Sequence, residues 1–165
     1  MHEVTIEHLH PDYIFYIKEN IGVSKNVGGQ KLWYCKNACH VNSILFGDFI
    51  KETTPYSCSI IEGIVICKDG LAYGHQWNLI RDENSGESQY VDVTMDAIAS
   101  DEEREAEKTY YELIEHTQED MISKIANREP LFSKETHDAI NAYYKEHPER
   151  EAYYREGKRF VDNKQ

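Results

Sequence analysis

The sequence predicts an α+β fold in which a central helix packs on an antiparallel β-meander, with further helices after it. Three observations carry this reading. Residues 38 to about 50 are apolar round most of the circumference (Val41, Ile44, Leu45, Phe46, Phe49, Ile50), as in a helix buried on several sides. Three stretches at 57–67, 71–81 and 88–95 then carry Ile, Val and Tyr between turn residues. Beyond residue 100 the chain turns rich in Glu, Lys and Arg and shows helix start signals.

The elements follow in order. His10-Pro11-Asp12 opens a short helix through Lys18, with Pro11 where its missing N–H is not needed and Gly22 beyond the end. Asn26-Val27-Gly28-Gly29-Gln30 reads as a loop. Asn37 suits the N-cap of the central helix, because its side chain can accept an orphan N–H of the first turn. Thr54-Pro55 closes that helix. In the first strand Gly63 marks a bulge or a close approach. Lys68-Asp69-Gly70 and Asp82-Glu83-Asn84-Ser85-Gly86 are the turns of the meander. Ser100-Asp101-Glu102-Glu103 is a capping box, from which a helix is expected to about residue 127. Helices at 133–144 and from 149 to about 159 complete the chain, split at His147-Pro148. There is no internal repeat. The whole chain, 1–165, is expected to be a single domain, with residues 30–97 as its core and 100–160 as a helical C-terminal extension.

Composition narrows the function. A net charge of −12 counts against nucleic acid, which needs clustered cations to displace phosphate counterions, and against an anionic membrane surface. No apolar run approaches the roughly 20 residues of a membrane span, and the N-terminus lacks the basic and apolar regions of a secretory signal. The expected location is the cytoplasm, or outside the cell by a route that leaves no cleavable signal. Four cysteines in a chain of this length and setting are read as thiols rather than as a disulfide framework.

Cys39 lies in the first turn of the central helix. Unpaired N–H groups and the positive dipole end favour its thiolate there, and can also receive the oxyanion of a tetrahedral intermediate. An isolated buried cysteine is more often inert, so its partners decide. Alternation along 71–81 puts Tyr73, His75, Trp77 and Leu79 on one face; on the next strand Tyr90, Asp92 and Thr94 share a face. A four-residue loop from Asp82 to Ser85 would set Trp77 opposite Tyr90 and His75 opposite Asp92. A carboxylate so placed holds one imidazole nitrogen and leaves the other for a thiol. A one-residue slip would turn Asp92 to the wrong face.

The runs Gly74-His75-Gln76-Trp77-Asn78 and Val91-Asp92-Val93-Thr94 resemble the transglutaminase-like branch of the papain-like cysteine protease superfamily. There a Gly-His-x-Trp stretch and a Val-Asp-x-Thr stretch follow a cysteine on a core helix. Glu62-Gly63-Ile64-Val65 is similar to the intervening strand. The likeness covers about residues 37–96; the family's Gly-x-Cys or Cys-Trp pattern is replaced by Ala38-Cys39-His40. The resemblance implies a papain-like core and a catalytic triad with Cys39 as nucleophile, His75 as base and acid, and Asp92 orienting His75. It implies an oxyanion donor upstream of the cysteine, for which Gln30 and Trp33 both qualify. Trp77 is expected to wall the site, and Asn78, on the other face, to fix the backbone.

The expected function is thiol-dependent acyl transfer without a cofactor, on a peptide, isopeptide or glutamine side-chain amide of a protein or peptide substrate. Protease, deamidase and transglutaminase outcomes stay open. A second reading is an inactive interaction module of the same fold, binding a protein through its acidic helices. A metal site is not expected: Cys35, Cys39 and His40 lack the second tight ligand pair of a zinc site, and Cys58 and Cys67 point to opposite faces of a strand. Cys35 is read as a packing or solvent-facing thiol. His2, His8, His10, His116, His137 and His147 show no partner in the pattern and are expected at the surface.

Overall fold

A computed structural model describes residues 2–150 of the chain. The elements in order are β1 His2–Val4, β2 Ile6–Glu7, α1 Pro11–Glu19, β3 Lys25–Val27, β4 Gln30–Leu32, α2 Cys39–Thr53, β5 Ser57–Cys67, β6 Ala72–Arg81 and β7 Ser88–Val91. A π-helical turn at Thr94–Ile98 comes next, then α3 Asp101–Glu105, β8 Lys108–His116, α4 Gln118–Ala126 and α5 Lys134–Glu146. The helix expected from 149 to about 159 lies almost wholly outside the described residues. Among those described, no helix is long and apolar enough to cross a membrane.

The fold is mixed α/β, built on a six-stranded sheet in the order β1-β8-β5-β6-β7-β2. All neighbours are antiparallel except β2 and β7. β1 and β2 form opposite edges, yet only Thr5 separates them in the chain. The sheet must therefore curl until its edges meet, and alternation gives it an inner and an outer face. Ile61, Val65, Trp77, Leu79 and Tyr110 pack together on the inner face with Val4. The outer face offers Ile60, Ile80 and Val91 to α2, whose Ile44, Phe46 and Ile50 are fully buried. Tyr16 of α1 stacks on Phe49 with ring centres 4.3 Å apart. Asn78, on the outer face as expected, donates to the carbonyls of Ser43 (3.0 Å) and Ser59 (3.3 Å) and so ties α2 to the sheet.

The meander forms with its expected turns, and Gly70 takes a φ of +97° that favours glycine. Gly63 is a site of close approach: the β5–β8 register shifts between Glu62 and Gly63, and a Cβ there would strike the Tyr111 carbonyl oxygen and come within 2.8 Å of the Trp77 ring. Cys58 packs with the helix-side core and Cys67 with the inner core, on opposite faces as read.

Four expectations are corrected. The stretch 26–30 is a hairpin, β3–β4, turning at Gly28 and Gly29 with φ of +56° and +81°. Asn37 is not the N-cap of α2: it adopts φ +58°, and Ala38 occupies the cap without a side-chain bond. The third strand ends at Val91 rather than at 95, because Asp92 starts a helical turn, its Oδ1 accepting the Met95 N–H at 3.2 Å. Finally, 100–127 is not one helix. Ser100 Oγ does accept the Glu103 N–H, but α3 is five residues long. Lys108–His116 then crosses the sheet as β8, between β1 and β5, before Thr117 caps α4. The residues after 100 thus supply a central strand and not only a helical extension.

Gly63→Ala is expected to lower stability by about 1–3 kcal/mol, since neither the Tyr111 backbone nor the buried Trp77 can give way freely. Urea unfolding followed by tryptophan fluorescence measures it; an unchanged midpoint would mean that β5 and β8 do not approach this closely.

Candidate active site

The site is assembled where β7 leaves the sheet. β6 pairs with β7 only from Asn78 to Arg81, so beyond Asn78 its edge is open on that side. The start of α2 occupies the gap. Because Ala38 offers no side-chain acceptor, the first-turn N–H groups of α2 stay free for an anion. Cys39, the first residue of that turn, is half-buried there.

The thiol is strongly perturbed. Burial alone would raise its pKa. Hydrogen bonds from His40 and His75, the charge on His75 and the Gln76 backbone N–H reverse this and lower it to about 6. At neutral pH Cys39 is therefore a thiolate.

His75 is buried on the inner face of β6. Its Nε2 donates to Asp92 Oδ2 at 2.8 Å, which leaves Nδ1 for the sulfur. Burial opposes charging of the ring, but the Asp92 carboxylate and the Cys39 thiolate overcome it and raise the pKa to about 10. The ring also lies among three aromatics, Trp77 (6.1 Å), Tyr73 (5.8 Å) and Tyr110 (6.2 Å). Asp92, fully buried, is held below the usual carboxylate range against the cost of burial by His75, the Tyr110 hydroxyl at 2.6 Å and the Met95 N–H. Cys39 and His75 thus rest as an ion pair, with Asp92 behind the imidazolium.

The register that joins His75 to Asp92 differs from the expected one. The loop has four residues but runs from Glu83 to Gly86, since the Asp82 N–H still pairs with the Glu87 carbonyl (2.8 Å). Leu79 therefore faces Tyr90, and the ladder, if continued, would set Asp92 opposite Trp77. The slip is two residues, so the face is unchanged, and the carboxylate reaches His75 diagonally.

A cleft of about 490 Å³ opens over Cys39, His40 and His75. Met95, Ile98 and Ala99 form one wall and Leu131 and Phe132 the other. The second wall is anchored firmly. The Gln76 side chain donates to the Leu131 carbonyl at 2.9 Å, and Phe132 lies against Gly74. Ser133, next in the chain, donates from its N–H and its hydroxyl to buried Glu62, both at 2.7 Å. Glu62 also accepts from Thr136 and from His116 (2.8 Å), and these donors lower its pKa to about 2 despite burial.

Of the residues singled out in the sequence, the structure brings Cys39, His75 and Asp92 together. Trp77 is fully buried and packs behind His75. Gln30 stands in the β3–β4 hairpin and Trp33, 48% exposed, just after it; the structure brings neither into the cleft, because the Gly28-Gly29 turn folds that segment into a separate ribbon. His116 is not a surface residue but the buried partner of Glu62. His8 approaches Asp96 at 3.4 Å, His10 caps α1 and His147 stacks on Tyr143.

Four participants went unread in the sequence. They are His40, the Gln76 N–H, Tyr110 and Asn42, whose side chain bonds both backbone groups of Cys35 (2.9 and 3.1 Å) and Thr94 Oγ1 (3.1 Å). Asn42 sits three residues after Cys39, one helical turn, and that spacing was its signal. No protein-family model, curated protein or solved structure matches the chain.

Alkylation of Cys39 by iodoacetamide is expected to reach half its maximal rate near pH 6, level off above, and fall below as the thiolate takes up its proton. A midpoint at about 8.5, the ordinary thiol value, would contradict this electrostatic picture.

Proposed function

We propose that the chain is a thiol-dependent acyl-transfer enzyme with a papain-like, transglutaminase-like core, acting on a peptide, isopeptide or glutamine side-chain amide. The observation that carries the reading is a thiolate at a helix start, paired with an imidazolium whose far nitrogen is held by a buried carboxylate at 2.8 Å. The likeness of residues 37–96 to the transglutaminase-like branch points the same way.

In this reading the Cys39 thiolate attacks the amide carbon, and the carbonyl electron pair moves onto oxygen. The free N–H groups of the α2 start, and the Gln76 N–H that bonds the sulfur at rest, are the donors for that charge. As the C–N bond breaks, His75 gives its proton to the leaving nitrogen, and a thioester remains on Cys39. Neutral His75 then takes a proton from water, or from an amine, as it attacks the thioester. Water makes the enzyme a peptidase or a deamidase; an amine makes it a cross-linker. The open cleft admits water readily, which favours hydrolysis.

The wild-type chain is expected to form a thioester on Cys39 with p-nitrophenyl acetate at neutral pH, detected as an acetyl adduct by mass spectrometry. Cys39→Ala removes the adduct without unfolding, and His75→Gln slows it by about 10²–10⁴-fold. A panel of amides then separates ammonia loss, cleavage and cross-linking. Slow, unselective labelling of all four cysteines would instead favour an interaction module.

A further inference from the structure

Of the titratable side chains that line the cleft outside the triad, His40 is the one beside the sulfur. It follows the nucleophile directly, lies half-buried on the cleft side of the first turn of α2, and hydrogen-bonds the Cys39 sulfur. A thiolate can only accept a hydrogen bond, so the ring nitrogen facing it carries a hydrogen. Among the described residues no carboxylate or carbonyl partners this ring. Its N–H is thus available to the reacting atom, in the cleft that both residues line.

The two side chains considered upstream for oxyanion binding, Gln30 and Trp33, do not line the cleft, whereas His40 does. We infer that His40 is a catalytic residue whose ring N–H is the side-chain donor of the oxyanion site, working beside the backbone N–H groups of Cys39 and Gln76.

The inference rests on the proposed acyl transfer and adds a step to it. In the resting enzyme the His40 N–H solvates the thiolate. When the sulfur lone pair forms the C–S bond, the negative charge leaves sulfur for the carbonyl oxygen, one atom beyond the new bond. The N–H follows that charge by a small rotation of the ring. When the oxyanion collapses and the leaving group departs with the electron pair of its bond, no proton has left His40. The proton needed by a leaving amine still comes from His75. His40 therefore acts as an electrostatic donor and not as a second acid.

Alkylation and acylation of the same sulfur separate this role from simple thiolate support. Alkylation by iodoacetamide passes through no oxyanion; acylation by p-nitrophenyl acetate does. Both are measured on the full chain as a function of pH, compared on the plateau where Cys39 of each variant is fully ionised, and read as adducts on the Cys39 peptide with Cys39→Ala as background. His40→Ala is expected to cut the acylation rate by about 10²–10³-fold, the usual loss for one oxyanion donor, and to change the plateau alkylation rate far less. His40→Gln, which restores an N–H, recovers part of the acylation. If His40→Ala does not fold, His40→Phe keeps the bulk of the ring without its donor and carries the same comparison. Equal losses in both reactions, or no loss in either, would overturn the assignment. A wild-type chain that alkylates rapidly yet never acylates would defeat the proposed function itself.

Discussion

The contact between His75 and Asp92 is the constraint on which the other features of the site depend. Asp92 is buried and ionised, an expensive combination unless both oxygens are well supplied with donors. Here one oxygen takes the Met95 N–H and the other takes both the His75 ring and the Tyr110 hydroxyl. The first bond ends β7 and starts the turn that carries Met95 and Ile98 into the cleft wall. The second fixes which imidazole nitrogen faces the sulfur. The third explains why β8 must lie in the sheet, since Tyr110 reaches Asp92 only from the inner face. One carboxylate therefore couples strand termination, cleft shape and the charge state of the Cys39 thiol.

Charge balance at the site is local. Asp92 and the Cys39 thiolate are negative and His75 is positive, which leaves one net negative charge in a largely buried volume. The uncapped start of α2, the Gln76 N–H and His40 answer it with donors, and Lys36 and Lys108 line the same cleft. The poor N-cap at Ala38 is then intelligible. A serine or aspartate there would cap the helix better but would occupy the N–H groups that face the sulfur and that, in the proposed acyl transfer, would receive the oxyanion. Some helix stability is given up for a polar pocket. The anchoring of Leu131–Ser133 follows the same logic at longer range: Glu62 and Gln76 face each other across β5 and β6, and together they hold the opposite wall of the cleft.

Much of this was legible in the sequence, for physical reasons. The central helix, β5, β6 and their turns declare themselves through apolar patterning and turn residues. The facing of His75 and Asp92 was legible even though the register was read two residues away, because side chains repeat every second residue and an even slip preserves the face. What stayed hidden lacks a local signal. β1 and β2 have three and two residues and owe their form to distant strands. β8 sits between helix start signals at Ser100 and Thr117, and its register shift opposite Glu62 and Gly63 breaks the alternation at 112–114 that would have revealed it. Tyr110 was lost with β8. The Gln76 N–H is a backbone group made available only by the departure of β7, which no side-chain pattern encodes.

The central claim is that His75 is held as an imidazolium by Asp92 beside an ionised Cys39. Nitrogen-15 NMR of histidine-labelled protein tests it most directly, with Cys39→Ala as the reference. At pH 8 both ring nitrogens of His75 are expected to carry protons, a state lost only as the pH rises toward about 10, and lost at lower pH once the thiolate is removed. A neutral His75 ring at pH 8, titrating near the ordinary histidine value in both proteins, would contradict the account.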